Sequence, residues 1–214
     1  MTRVLFTGFE PFGGESVNPS WEAVALAAAE PPPGLEAVAV RLRCVFGAAL
    51  DELRAAVRRT GPELVLCVGQ AGGRPDVTLE RVAVNVDDAA IPDNAGNQPV
   101  DLPVVAAGPA GYFSTLPIKA CLAAVRAAGI PASVSQSAGT FVCNHVFYGL
   151  MHLLATEFPA VRGGFVHLPY APEQVVARVA PSLPVGVSAQ ALRVVAATAA
   201  DRTADLQLGA GAIS

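Results

Sequence analysis

A cysteine late in the chain has the residue type and the setting that acyl-transfer chemistry requires. Cys143 follows the segment 137–142, which begins with small residues, and it directly precedes a predicted helix. A helix N-terminus favours the thiolate, and its unpaired backbone N–H groups can bind an oxyanion. Cys143 is therefore a candidate nucleophile, although its position fits a buried structural thiol equally well.

A thiol nucleophile needs a base, and the chain has three histidines. His167 ends the apolar run 163–166, which predicts a position at the edge of a sheet. His145 follows Cys143 by two positions and would face away from it on a helix, and His152 lies further along that helix. We therefore expect His167 to be the base and the other two to be structural or surface residues. No metal site is predicted, because Cys143, His145 and His152 match no familiar ligand spacing.

A carboxylate that fixes the imidazole tautomer would complete such a site. Glu80, where a polar loop enters an apolar strand, is one candidate. On composition alone four aspartates compete with it: Asp76, Asp87, Asp88 and Asp93. The other three cysteines lie inside apolar runs and are predicted to be core residues: Cys44, Cys67 and Cys121.

The overall composition excludes several classes of partner. The chain of 214 residues is 52% hydrophobic and only 15% charged, below the roughly 25% charged of an average soluble domain, which favours self-association. Its net charge of -4 comes from 18 acidic and 14 basic residues that are scattered, so we expect neither nucleic acid nor an anionic membrane as a partner. No apolar run reaches the ~18 residues of a membrane helix, and no signal-peptide pattern is present. We expect a soluble, cytoplasmic protein with reduced cysteines.

The elements that must position these residues follow an α/β pattern, in which short β-branched runs alternate with Ala- and Leu-rich stretches. We predict one domain over residues 1–214, a three-layer αβα sandwich around a mainly parallel, mixed and twisted sheet. Strands are expected at 4–8, 37–42, 64–69, 81–86, 132–135 and 163–167. Helices are expected at 19–29 after an Asn18 cap, 48–59, 117–128, 144–157, 172–179 and 189–199. The segment 87–115, dense in Gly and Pro, is predicted to be a long loop.

The carboxyl ends of the strands form the ligand crevice of open α/β sheets. Segments 9–14 and 70–73 follow two predicted strands, and His167 ends a third. We therefore expect these three parts of the chain to converge at one edge of the sheet.

Four segments carry a family resemblance: 8–14 (GFEPFGG), 79–85 (LERVAVN), 137–144 (SAGTFVCN) and 164–169 (GFVHLP). Together they resemble the pyroglutamyl peptidase I family, also called pyrrolidone-carboxylate peptidases, over about residues 4–170. The resemblance implies that Cys143 attacks the carbonyl that joins an N-terminal pyroglutamate to the next residue. His167 would take and return the proton, and Glu80 would orient His167. It also implies no metal or organic cofactor, peptides with N-terminal pyroglutamate as substrates, and a homotetramer.

The resemblance also implies a substrate pocket. A pyroglutamyl ring is small and uncharged, so its pocket should be apolar with a few hydrogen-bonding groups. Gln70 is expected to bond the lactam, because its amide can both donate and accept. The apolar lining is expected from Phe9, Phe12, Ile91, Phe141 and Val142, whose alternative role is ordinary core packing.

The chain departs from the family at two positions. Ala90 stands where the family commonly has an arginine near the developing oxyanion, and the loss of one such donor typically costs about 10²–10³ in rate. Cys44 stands where a small polar pocket residue is expected. Two alternatives therefore stay open: a catalytically impaired small-ligand-binding domain of the same fold, and a related cysteine amidohydrolase. A nucleotide-binding module is discarded, because 8–14 does not fit G-x-G-x-x-G.

Overall fold

A six-stranded mixed sheet forms the centre of the computed structural model, which describes residues 1–211. The strands are β1 (Thr2–Phe9), β2 (Leu35–Leu42), β3 (Leu64–Gln70), β4 (Val77–Glu80), β5 (Val82–Val84), β6 (Gly111–Phe113), β7 (Ala132–Ser135) and β8 (Arg162–Leu168). The large sheet has the order β2-β1-β3-β8-β4-β7, and β5 pairs with β6 in a separate two-stranded sheet. The first four strands of that order are parallel, whereas β4 and β7 run antiparallel to β8.

Helices cover both faces of the large sheet. They are α1 (Pro19–Ala29), α2 (Ala48–Thr60), α3 (Ile118–Ala127), α4 (Val142–Thr156) and α5 (Val185–Asp201). One core forms against α1, α3 and α5, and a second forms against α2 and α4. Alternate residues of β3 enter the two cores, as Leu66 and Cys67 illustrate. A strand buried on both faces needs a continuous apolar run, which is what β3 has, and the predicted αβα sandwich is confirmed.

Local signals set several helix boundaries. The Asn18 side chain accepts a hydrogen bond from the Ser20 backbone N–H at 3.1 Å, so the predicted cap of α1 is confirmed. Gly61 ends α2 in the left-handed conformation at φ 53°, and its N–H donates to the Val57 carbonyl at 3.0 Å. Such a backbone conformation carries no steric cost for glycine.

The predicted strand 81–86 is confirmed only over Val82–Val84, and the prediction missed the preceding strand β4, because the chain changes sheets at Arg81. The Arg81 N–H still donates to the carbonyl of Ser135, the last residue of β7, at 2.9 Å, while its own carbonyl accepts from the Ser114 N–H beside β6, also at 2.9 Å. The apolar run therefore divides into β4, which ends at Glu80, and β5. The predicted loop 87–115 accordingly contains β6.

Other boundaries also differ from the prediction. The segment 172–179 forms only a short 3-10 helix at Pro172–Val175, and α5 begins at Val185 rather than at 189. Helix α4 begins at Val142, two residues before the predicted start, which puts Cys143 inside its first turn. None of the helices described within residues 1–211 is long and apolar enough to cross a membrane.

Candidate active site

His167 is held near the carboxyl end of β8 between two strands. In the strand register it lies beside Gly69 of β3 and Thr78 of β4. Side chains alternate along a strand, so His167 points to the same face as Phe165, and the centroids of the two rings are 4.8 Å apart. Phe165 belongs to the core under α2 and α4. The imidazole is therefore on the face of the sheet that carries the first turn of α4.

Glu80 ends β4 on the same face and bonds the imidazole. Its Oε1 lies 2.7 Å from Nδ1 of His167, and both side chains are buried, at 0% and 3% exposure of the residue. An ionised carboxylate can only accept, so Nδ1 carries the proton and donates it to the hydrogen bond. This tautomer leaves Nε2 of His167 with a lone pair, which is the state a general base needs.

The surroundings of the pair favour an ionised Glu80 and a neutral His167. Burial alone would raise the pKa of Glu80, but the hydrogen bonds that it accepts from His167 and Arg74 hold that pKa below its usual range. Burial lowers the pKa of His167, and the Glu80 carboxylate opposes this only in part. At neutral pH the imidazole is therefore uncharged.

Cys143 is brought to this pair by a glycine. A Cβ atom on Gly69 would lie only 2.7 Å from Sγ of Cys143, so the thiol packs directly on the β3 backbone next to His167. The first hydrogen bond within α4 runs from the His145 N–H to the Phe141 carbonyl, so the preceding N–H groups have no helical partner. These N–H groups, including that of Cys143, form a donor site beside Sγ.

The thiol is protonated at rest. Burial raises the pKa of Cys143 well above its ordinary value, and the Glu80 carboxylate adds to this, whereas Arg74 acts in the opposite direction. The sequence suggested a thiol activated by the helix N-terminus, whereas the surroundings of Cys143 in the structure raise its pKa. A neutral thiol beside a neutral imidazole can react only when the base accepts its proton in the reaction.

Comparison with known proteins identifies the family. A family model described as pyroglutamyl peptidase matches residues 2–202. The chain belongs to the pyroglutamyl peptidase family. A protein named pyrrolidone-carboxylate peptidase from Streptomyces coelicolor is 65% identical over 97% of this chain and 96% of its own length. Its counterpart from Escherichia fergusonii is 56% identical over 99% of each chain.

Solved structures of the pyroglutamyl peptidase family share the fold. The crystal structure of pyroglutamyl peptidase I from Bacillus amyloliquefaciens is similar with a TM-score of 0.96 and 48% identity, over 97% of this chain and 99% of that one. Pyrrolidone carboxyl peptidase from Thermococcus litoralis gives a TM-score of 0.93 at 34% identity, over 98% and 100% of the two chains. The α/β architecture and the family resemblance inferred from the sequence are confirmed.

The residues predicted for the pocket of this pyroglutamyl peptidase occupy different environments. The rings of Phe12 and Phe141 pack together, with centroids 6.2 Å apart. Phe9 and Val142 are buried in the core beside the site, whereas Ile91 is 47% exposed on its loop. The packed aromatic rings and the side chain of Ile91 on its loop can together enclose a small apolar group.

The side chain of Gln70 is held by Gln174, a residue that the sequence did not single out. Gln174 accepts from the Ala171 N–H at 2.9 Å through Oε1, and its Nε2 then donates to Oε1 of Gln70 at 3.0 Å. The amide of Gln70 is thereby oriented, with its own Nε2 left as a donor. No local pattern could indicate this contact, since the two glutamines are 104 residues apart.

The carboxylates and histidines left open by the sequence have separate roles. Nδ1 of His145 bonds Asp87 at 2.8 Å, and its Nε2 accepts from the Gly47 N–H at 3.0 Å, so His145 ties the start of α2 to the loop after β5. Nδ1 of His152 lies 2.9 Å from the Tyr112 hydroxyl. The prediction that these two histidines are structural is supported by these contacts, and Glu80 is the carboxylate on His167.

The remaining three cysteines are core residues, as predicted from the sequence, whereas the substituted loop position is exposed. All four cysteines are free, and Cys44, Cys67 and Cys121 are buried. Cys44 packs in the core under α2 and α4, and its N–H donates to Glu10. Ala90 is exposed in the loop that follows Asp88.

Proposed function

We propose that this chain is a cysteine exopeptidase that hydrolyses the bond after an N-terminal pyroglutamyl residue. In this proposal Cys143 is the nucleophile, His167 is the general base and acid, and Glu80 orients His167. The main observation behind the proposal is that Sγ of Cys143 contacts Gly69. Gly69 is the neighbour of His167 in the strand register, and His167 is hydrogen-bonded to the buried carboxylate of Glu80. The family to which the chain belongs supports the same chemistry.

The first half-reaction forms a thioester. As Sγ of Cys143 attacks the pyroglutamyl carbonyl carbon, its proton passes to Nε2 of His167, and the carbonyl oxygen becomes an oxyanion. The backbone N–H groups at the start of α4 are suited to bind that oxyanion. When the tetrahedral intermediate collapses, the C–N bond breaks and the imidazolium gives its proton to the leaving amine. Glu80 stabilises the transient positive charge on His167.

The second half-reaction releases pyroglutamate. Nε2 of His167 accepts a proton from water while the water oxygen attacks the thioester carbonyl. The C–S bond then breaks, pyroglutamate leaves as the free acid, and the proton returns to Sγ. The substrate, the chain and one water supply every atom in this sequence, so no metal or organic cofactor is required.

Recognition of the lactam is assigned to the predicted pocket residues. In this proposal the rings of Phe12 and Phe141, with Phe9, Ile91 and Val142, form the apolar surface for the ring. Nε2 of Gln70 would donate to the lactam carbonyl, because its own oxygen is already occupied by Gln174. A pocket of this kind prefers a neutral lactam over a charged free amine, since burial of an unpaired charge is costly.

We further propose a cytoplasmic homo-oligomer, with a tetramer as the expected state. The low charge content supports buried subunit contacts, and several large apolar side chains are exposed on the single chain, among them Val100, Leu102 and Phe113. Sedimentation of the purified protein tests this directly, and a monomer at micromolar concentration would contradict it.

The decisive experiment measures the release of a chromogenic amine from a pyroglutamyl-arylamide under reducing conditions. The natural chain is compared with Cys143→Ala, and a prolyl-arylamide controls for the lactam carbonyl. Turnover that requires Cys143 and the lactam supports the proposal. Turnover of another amide in preference would favour a related amidohydrolase. Binding of pyroglutamate without turnover by the folded, reduced chain would favour an impaired binding domain, and restoring arginine at Ala90 would then be the next variant.

A further inference from the structure

Arg74 lies in the turn between β3 and β4 and reaches the buried end of the candidate site. Its Nη1 donates to Oε1 of Glu80 at 2.6 Å and to the Thr78 hydroxyl at 2.7 Å, and its Nη2 donates to the Ser137 carbonyl at 3.1 Å. One guanidinium therefore contacts the carboxylate that orients His167 and the loop that leads into the Cys143 helix. The planar fork of an arginine is suited to two such acceptors at fixed positions.

The ionised state of the Glu80 carboxylate depends on the positive charge of Arg74. Oε1 of Glu80 accepts from both Arg74 and His167, while its Oε2 is buried and has no hydrogen-bond partner among the described residues. A buried carboxylate beside a neutral imidazole alone would hold an uncompensated charge, which a protein avoids by taking up a proton. A protonated Glu80 could donate to Nδ1 of His167, and the proton on the ring would then move to Nε2. His167 in that tautomer could not accept a proton from Cys143.

The second contact concerns the nucleophile. The loop 136–141 connects β7 to α4. It is held to Asp88 by one backbone bond and by one bond from the Thr140 hydroxyl, and to two arginine side chains by the bonds of Arg74 to Ser137 and of Arg81 to Gln136. Gly139 lies in this loop at φ 78°, a conformation in which other residues are strained. Arg74 is thus one of two arginines that hold this loop, and loss of its bond would loosen the chain six residues before Cys143.

We propose that Arg74 is a positioning residue of this peptidase, which keeps Glu80 ionised and holds the Ser137 loop so that His167 and Cys143 meet in reactive geometry. This inference rests on the proposed function for its consequence in turnover. The contacts of Arg74 with Glu80 and Ser137 support the inference independently of the substrate. Arg74 also brings a positive charge to the site of a chain that has Ala90 where the family resemblance leads us to expect an arginine.

The charge of Arg74 gives the proposal a signature that a purely structural residue would lack. Besides His167, the ionisable groups that act on Cys143 are Cys44, Cys67 of β3, Glu80 of β4 and Arg74; besides Cys143, those that act on His167 are Glu80 and Arg74. The positive charge lowers the pKa of both Cys143 and His167. Its removal should therefore move the acidic limb of kcat/KM, which reports protonation of the Glu80–His167 pair, to higher pH, and should slow deprotonation of the thiol.

The test compares Arg74→Met and Arg74→Lys with Arg81→Met. Arg81 is a matched control because it bonds Gln136 in the same loop through Nε at 2.9 Å and contacts neither Glu80 nor His167. We expect Arg74→Met to lower kcat about 100-fold, the loss typical of a displacement of about 1 Å at a reacting group, with a smaller change in KM. Arg74→Lys should recover part of kcat and the pH profile of the natural chain, and Arg81→Met should change neither. Equal losses in Arg74→Met and Arg81→Met would overturn the proposal.

A double variant separates action through Glu80 from an independent effect. If Arg74 acts through Glu80, Glu80→Gln combined with Arg74→Met should be no slower than Glu80→Gln alone, since residues that act as a unit are not additive. Multiplied losses would overturn the assignment.

A second readout needs no substrate. Cys143 is partly exposed whereas Cys44, Cys67 and Cys121 are buried, so the rate of its alkylation by iodoacetamide can be followed by mass spectrometry against pH. Arg74→Met should shift the alkylation profile of Cys143 to higher pH relative to Arg81→Met. An unchanged profile would overturn the proposal. If the natural chain fails to cleave the arylamide but this shift is present, the substrate assignment fails and the role of Arg74 stands.

Discussion

Replacement of Gly69 by alanine should separate the geometry of the site from the stability of the fold. The new Cβ would lie 2.7 Å from Sγ of Cys143 and 2.9 Å from Cζ of Phe165. Ordinary contacts between such atoms are about 3.5–4.0 Å, so the thiol or the ring must move by about 1 Å. The backbone at Gly69 lies outside the left-handed region, so the effect comes from the added volume alone.

Two magnitudes follow from this displacement. Overpacking of a filled core lowers the free energy of unfolding by about 1–3 kcal/mol. For a chain of this size, we expect this loss to lower Tm modestly. Displacement of a reacting group by about 1 Å costs about 100-fold in rate, or about 2.7 kcal/mol of transition-state stabilisation. We therefore expect Gly69→Ala to remain folded, with kcat on a pyroglutamyl-arylamide reduced about 100-fold and KM changed much less.

The control is Gly163→Ala, on the strand that carries His167. A Cβ at Gly163 would lie 2.9 Å from Cδ1 of Leu154 and 3.1 Å from the Val65 carbonyl oxygen, away from the thiol. Urea denaturation should give similar losses of stability for the two variants, while kcat should fall for Gly69→Ala alone. If both variants keep the kcat of the natural chain, the thiol does not rest on Gly69 during turnover, and the geometry proposed for the site is refuted.

Two further predictions concern recognition and pH. Gln174→Ala should raise KM for the pyroglutamyl-arylamide and leave kcat nearly unchanged, because it frees the Gln70 amide without touching the reacting atoms; a fall in kcat at constant KM would contradict this. Burial raises the pKa of three thiols from 9.0 to about 12: those of Cys44, Cys67 and Cys121. Between pH 9 and 12 the unfolded chain therefore loses thiol protons that the folded chain retains. The stabilising contribution of these thiols is complete below pH 9, and the free energy of unfolding falls as the pH rises toward 12. Cys121→Ala should reduce the slope of stability against pH in this range by about 1.4 kcal/mol per pH unit, measured by urea denaturation under reducing conditions, and an unchanged slope would show that Cys121 ionises normally.

Several parts of the fold were accessible from local sequence. The uninterrupted apolar run of β3 indicates a strand buried on both faces, and the caps at Asn18 and Gly61 mark the ends of helices. These signals involve neighbouring residues only, so they can be detected without knowledge of the fold. The division of 77–84 between two sheets could not be detected, because Arg81 changes partners from β7 to the end of β6 and both partners are distant in sequence.

The sequence by itself determined the chemistry of this protein: a cysteine before a helix, a histidine at the end of an apolar strand and a glutamate, in motifs that resemble one peptidase family. The direction of β4 was decided only by the tertiary structure, and with it the bond between Glu80 and His167. The contacts of Arg74, Gly69 and Gln174 likewise depend on segments that meet only after folding. The protonation state of the site also depends on the tertiary structure. The pKa of Cys143 is set mainly by burial, and burial is a property of the folded chain and of no local segment.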